Sequence, residues 1–309
     1  MSLQVLLGPQ TPHPNLASAL ETVAFEGPIV SITAGWRDSE GETAEIEADI
    51  GQPIEDLRLY HRAEQFFAVE SAFLELHRAR QERFQELQRL YRIRLETAIS
   101  AARELLRTQG DPELLRLEQR AAISQLRALD RHHLKRIAAI HQDFNEQRKA
   151  MDIPAATAER EAVWARVQRA GLVLIAGGHV AVLLNRIRLF RLGELLADKP
   201  IVAWSAGAMV LGERIVLFHD NAPQGQRNAE VLDAGLGIVK NLVPLPDAKT
   251  RLDWSSRSRM ALFARRFAPS RCCTLDFGSM IRIEGGKVTA ARGSEVMQRN
   301  GGKKGLVAK

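Results

Sequence analysis

The 309-residue chain is 45% apolar and carries 43 lysines and arginines against 37 aspartates and glutamates, a formal charge of +6. Such a length and apolar fraction bury a sizeable core, which excludes a disordered chain or a disulfide-stapled miniprotein. The basic excess is modest and has no dense block, which argues against nucleic-acid binding. No apolar run approaches bilayer-spanning length, which argues against a membrane protein.

The two cysteines, Cys272 and Cys273, are adjacent, a spacing unsuited to a disulfide or a metal site, so a reducing, cytoplasmic setting is expected. In chain order, residues 4–7 and 28–34 are expected strands, separated by a helix over 15–23 that Pro14 and Asn15 introduce. A polar turn with Gly35 leads to a short helical stretch ending near Ile50, and residues 57–60 are expected as a third strand. Strand and helix alternating across short joins predict a parallel sheet covered on both faces.

From 61 to 151 the alternation stops. Apolar residues recur at steps of three and four: Phe66, Val69, Phe73 and Leu76, then Phe84, Leu87, Tyr91 and Leu95, and later Leu134, Ile137, Ile140 and Phe144. Gly110 and Pro112 divide this stretch into two long antiparallel helices, each about 55 to 70 Å, longer than the domain they leave. The expected hairpin projects as a coiled coil, and its apolar stripe suggests homo-oligomerisation or a protein partner through 62–150. Its His132, His133 and His141 lack an accompanying carboxylate motif and are expected at the surface, with no metal site and no cofactor.

A helix over 158–169 then returns the chain to alternation, so the hairpin is treated as an insertion. The expected domains are an α/β body from 1–60 and 152–295, the hairpin at 61–151, and a flexible tail at 296–309. Residues 172–176 and 201–204 are strands, each running into small residues and a helix. Residues 215–218 form a further strand before a polar loop that starts at His219 and Asp220 and runs through Asn228. A glycine turn at 235–237, a strand at 242–245, an arginine-bearing helix at 255–267 and strands at 272–275, 280–283 and 288–290 complete the chain.

Trp204-Ser205-Ala206-Gly207-Ala208 has the form of a nucleophile elbow, a sharp turn off a strand end that exposes a serine hydroxyl. Small neighbours leave room for the strained turn, and the Ala206 N–H at the helix start faces the oxygen of a bound acyl group. The competing reading is a tight strand-to-helix turn with no chemistry.

The order strand, Gly177-Gly178-His179, helix, strand, Ser205 elbow, helix, Gly235-Leu236-Gly237-Ile238-Val239 and a terminal Glu284-Gly285-Gly286-Lys287 hairpin resembles the dipeptidase E and cyanophycinase family of serine peptidases. That resemblance implies a three-layer α/β fold of the class I glutamine amidotransferase type, here with an inserted helical hairpin. It implies Ser205 as nucleophile, Ala206 and the Gly177-Gly178 turn as oxyanion-binding and substrate-binding groups beside Gly207 and His179, and Asp220 or Asp276 as the acid. It also implies a peptide or isopeptide substrate with an aspartyl group, for which Arg251, Arg257 and Arg259 are candidate anchors.

The family's histidine position falls on Asp247, and serine needs a base near neutral pKa. Three readings stand open: His219 or His179 supplies the imidazole, Asp247 assists as a carboxylate, or the chain is catalytically impaired and acts as an interaction protein through its hairpin. Glutamine amidotransfer is disfavoured, since it uses cysteine and neither Cys272 nor Cys273 sits at an elbow.

Overall fold

The computed structural model of the protein describes residues 2–151, 153–220 and 227–308. The chain begins with β1 (Leu3–Leu7), α1 (Leu16–Leu20), β2 (Ile29–Ile32), a 3-10 helix over Ala34–Ser39, α2 (Ala44–Ile50) and β3 (Ile54–Asp56). Helices α3 (Leu59–Val69), α4 (Ser71–Arg107), α5 (Pro112–Met151) and α6 (Pro154–Arg169) follow. Then come β4 (Leu172–Ile175), α7 (Val180–Leu189), α8 (Gly193–Ala197), β5 (Ile201–Trp204), α9 (Ala206–Leu211), β6 (Arg214–Leu217) and β7 (Glu230–Ala234). The last part comprises β8 (Leu242–Pro246), α10 (Ala248–Arg251), α11 (Arg257–Phe267), β9 (Arg271–Leu275), β10 (Met280–Glu284), β11 (Lys287–Arg292), β12 (Glu295–Met297) and β13 (Lys303–Gly305).

The main sheet has the order β11-β10-β1-β5-β4-β2-β3. Its β1, β5, β4, β2 and β3 are parallel, and β10 and β11 close one side as an antiparallel hairpin. The parallel strands read as continuous apolar runs because both faces are covered. Val5, Leu7, Leu172, Leu174 and Val202 face α1 and α2, while Leu6, Val173, Ile175, Ile201 and Ala203 face the core shared with α3, α6, α7 and α9. The expected layered α/β fold with its long helical hairpin is therefore present. A second sheet, β13-β12-β9-β8, pairs β8 parallel to β9, and β6 pairs antiparallel with β7.

Several expectations are corrected. The third strand lies at Ile54–Asp56, and Leu57 and Leu59 are apolar because both are fully buried at the entry to α3. The Ser31 and Thr33 hydroxyls hold this strand end by donating to Asp56 Oδ2 at 2.6 and 2.7 Å. The first long helix is broken at Glu70 (φ −104, ψ 78), which leaves Val69 of the expected stripe 80% exposed. Residues from 296 are no loose tail, since β12 and β13 pair with each other and β12 with β9. Residues 221–226 of the expected polar loop lie outside the described residues.

The hairpin does not project. Helices α4 and α5 lie against α11 and β7, and Phe73, Tyr91, Leu95, Ile99, Leu126 and Phe144 belong to the same apolar core as the sheet. A buried polar cluster fixes this docking. Arg266 of α11 grips Asp130 of α5 through Nε to Oδ2 (2.8 Å) and Nη2 to Oδ1 (2.7 Å), and its Nη2 also donates to Tyr91 Oη of α4 (2.7 Å). Tyr91 donates to Asp130 (2.8 Å) and accepts from the Val231 N–H of β7 (3.2 Å). Asp130 and Arg266 are 3% and 2% exposed, so the pair is satisfied entirely within the protein.

Candidate active site

Parallel strands bring their C-terminal ends to one edge of a sheet, where ligands of such folds bind. Here the ends of β1, β2, β4 and β5 converge. Ser205 leaves β5 with φ 50 and ψ −118, a sparsely populated backbone for a non-glycine residue that costs about 1–3 kcal/mol. It is held there by its N–H donating to Leu7 O of β1 (3.2 Å) and its carbonyl accepting from Met209 N in α9 (3.2 Å). Ser205 thus stands at a sharp strand-to-helix turn, with the Ala206 N–H among the first-turn donors that a helix leaves open.

The neighbouring glycines are required by close approach. A Cβ on Gly177 would stand 3.0 Å from Ser205 Cβ and 3.6 Å from Ser205 Oγ, so the turn after β4 lies directly against the hydroxyl. A Cβ on Gly207 would stand 2.8 Å from the carbonyl carbon of Ile175, which explains why the second residue of α9 has no side chain. Gly178, at φ +96, completes the turn, and His179 N donates to Gly35 O (2.8 Å) at the end of β2.

Ser205 opens into a cavity of about 520 Å³ that is also lined by His219, Asp247, Arg92, Arg227 and Arg251. His219 follows β6, and its Nδ1 is buried without a hydrogen-bond partner among the described residues. Asp247 sits at the end of β8 with left-handed φ 55, its N–H donating to Leu275 O (3.0 Å) and its Oδ2 standing 3.6 Å from Arg251 Nε. Two of the three candidate bases therefore share the serine's cavity. His179 does not: it caps α7, where its Nδ1 accepts from Val182 N (3.3 Å), and it lines a neighbouring cavity. Burial, with help from Arg37, holds the His179 imidazole below its ordinary pKa.

The candidate acids are held by partners other than the candidate bases. Asp220 is 6% exposed and engaged elsewhere, with Oδ1 accepting from Arg259 Nε (2.8 Å) and Oδ2 from Asp253 N (2.9 Å). Asp276 Oδ1 accepts from Lys249 N (2.8 Å); burial raises its pKa, and the charge of nearby Asp247 adds to that. Of the three expected arginine anchors, Arg251 lines the cavity, Arg259 is locked to Asp220, and Arg257 is not on its wall.

Arg92 and Glu230 also line the cavity. They come from α4 and β7 and pair at 2.8 Å. No sequence signal marks them, because only the docking of the hairpin brings Arg92 to Glu230 and the cavity wall. Of the three histidines expected at the surface, His132 is exposed, His133 is buried and His141 is half-buried. His133 is 2% exposed and stacks on Tyr91 at 4.0 Å, and His141 bonds Asp233 Oδ2 at 3.0 Å. Among the described residues no cluster of His, Cys, Asp and Glu suits a metal ion, and no helix is long and apolar enough to cross a membrane. Both cysteines are buried, and burial pushes the Cys273 thiol up to about 12.

The profile of Peptidase family S51 matches residues 128–291, from within α5 to the end of β11. No curated protein matches the chain. Among solved structures it is similar to a peptidase from an acI-B1 Actinobacterium, at 13% identity, with 100% of this chain and 95% of that one covered and a TM-score of 0.47. The family match spans more than half of the chain, which belongs to peptidase family S51, a family of serine-type peptidases.

Proposed function

We propose that this member of peptidase family S51 cleaves a peptide or isopeptide bond through an acyl-Ser205 intermediate, with His219 as the base. An imidazole nitrogen of His219 takes the Ser205 Oγ proton as Oγ attacks the carbonyl carbon. The oxygen that becomes negative is received by the backbone N–H groups of Ala206 and the Gly177-Gly178 turn. The proton passes from His219 to the leaving nitrogen as the C–N bond breaks, and water, deprotonated in turn by His219, releases the acid and restores the hydroxyl.

The observation that carries this reading is the strained Ser205 backbone opening into the same cavity as a histidine whose Nδ1 has no partner among the described residues. Asp247 shares the cavity, but its Oδ2 stands 3.6 Å from Arg251 Nε, whereas His219 Nδ1 has no partner among the described residues. Arg227 and Arg251 favour an acidic group beside the scissile bond.

The expected acid, Asp220, is bound to Arg259, and that observation favours a second reading, an impaired enzyme acting through its hairpin as an interaction or homo-oligomerisation protein. Stopped-flow mixing with a p-nitrophenyl ester separates the two. Nitrophenol should appear in a burst stoichiometric with the chain, and acid quenching should leave the acyl group on the Ser205 peptide. Absence of both burst and adduct would overturn the hydrolase in favour of the interaction protein.

A further inference from the structure

Beside the serine cavity lies a second one of about 510 Å³, walled by α4, α5, α7 and β7, with Arg92 common to both. Its cations are unequally served. Arg186 Nη2 holds Glu64 at 2.5 Å, and Arg188 Nη1 holds Asp233 Oδ2 at 2.6 Å, while Asp233 also accepts from His141. Arg80 is different. It is 4% exposed, it forms no ion pair among the described residues, and its Nε and Nη2 are buried with no hydrogen-bond partner. Its guanidinium carbon lies 3.8 Å from the centroid of the Phe144 ring, which fixes the plane of the group but satisfies none of its N–H donors.

A charged group withdrawn from water without a counter-ion is the arrangement folded proteins avoid. Burial, together with the like charges of Arg188, Arg186 and Arg148 and only partly offset by Asp233, brings the Arg80 pKa down to about 9. Two more donors on the same wall, Gln81 Nε2 and Arg186 Nε, are also buried without partners. Nε and Nη2 form the side-on edge of a guanidinium, which matches two oxygens of one anion. Within this molecule Arg266 uses that same pair of atoms to grip both oxygens of Asp130. On Arg80 the same two atoms have no partner among the described residues.

We propose that this cavity binds a small oxyanion, carboxylate or phosphate, through the side-on edge of Arg80. The anion is either free in solution or an acidic group of a substrate reaching past Arg92 from the serine cavity. The site stands without the Ser205 chemistry, because its donors come from the hairpin and α7.

Isothermal titration at constant ionic strength tests it, with inorganic phosphate in one arm and an aspartyl dipeptide in the other, the latter on Ser205→Ala to prevent turnover. Saturable phosphate binding supports the free anion, and dipeptide binding without phosphate binding supports the substrate-borne group. In either case Arg80→Met should weaken binding at least tenfold, while raising Tm in chloride buffer because a buried unpaired charge is removed. Arg80→Lys, which keeps the charge but loses the two-atom edge, should also weaken it at least tenfold. Hydrogen exchange of the wild-type chain needs no substitution, and the binding anion should slow exchange in α4 around Arg80 and in α7. Binding by neither probe, binding undiminished in both variants, or unchanged exchange in α4 and α7 would overturn the proposal.

Discussion

At Ser205 the backbone and its neighbours decide more than the side chain does. A serine with φ 50 persists only where surrounding contacts over-determine it, and here these are the Leu7 carbonyl, the first turn of α9 and the missing Cβ of Gly177. Gly177→Ala should therefore leave the chain folded, with Tm lowered by a few degrees, and slow acylation of Ser205 by tenfold or more, read in the same burst experiment. An unchanged burst rate would show that the turn after β4 does not crowd the hydroxyl.

His133 gives a different residue-scale test. Burial depresses its pKa to about 4, from about 6.5 for a free imidazole. Between those values the unfolded chain binds the proton that the folded chain refuses, so stability is full above pH 6.5 and falls as pH drops toward 4. The loss traceable to this group is about 2–4 kcal/mol. Urea unfolding at pH 7 and pH 5 should show it, and His133→Phe, which keeps a ring on Tyr91, should flatten the dependence. An equal slope in the variant would assign the acid sensitivity to other groups, such as His77, which burial also holds at about 4.

At the scale of elements, the hairpin is the part least legible in the sequence. Its existence and its break at Gly110 and Pro112 followed from periodicity, but its destination did not. Tyr91 reads as part of the apolar stripe, and Asp130 and Arg266 as ordinary polar positions, on three separate helices; only their meeting reveals a buried network. The expected oligomer surface is altered by the same fact, because much of the stripe packs on the body of the chain. Removing one partner of a buried ion pair strands the other, so Asp130→Ala should destabilise by about 3–5 kcal/mol, measured by urea unfolding. A loss below about 1 kcal/mol would mean that the hairpin is held by its apolar contacts alone.

The strands behaved according to how they are buried. Runs such as 172–176 and 201–204 were legible because parallel strands covered on both faces are continuously apolar. β7, with the sequence Glu230-Val231-Leu232-Asp233-Ala234, passed unread because its polar residues serve the hairpin: Glu230 binds Gln88 and Arg92, and Asp233 binds His141 and Arg188.

For the molecule as a whole, the site is a joint product of the sheet and the hairpin. The strand ends supply Ser205 and the glycine turns, the loop after β6 supplies His219, and α4 supplies Arg92 to the wall. Sequence spacing is enough to mark Ser205 at a tight strand-to-helix turn and to nominate His219 as a base, and both line one cavity. It was not enough to see that Asp220 turns to Arg259 or that His179 faces the neighbouring cavity, since both depend on packing between distant segments. Deletion of 71–151 removes Tyr91, Leu95, Leu126 and Phe144 from the shared core and should leave the remainder unable to fold cooperatively, as followed by thermal unfolding. A cooperative transition in the truncated chain would show that the α/β body stands alone.

In the proposed mechanism His219 activates Ser205. Fluorophosphonate labelling, followed by intact mass and peptide mapping, tests it on three proteins: wild type, Ser205→Ala and His219→Gln. The expected result is a single adduct on the Ser205 peptide of the wild type, none on Ser205→Ala, and labelling at least a hundredfold slower on His219→Gln. An unlabelled wild type, or His219→Gln labelled as fast as the wild type, would contradict it.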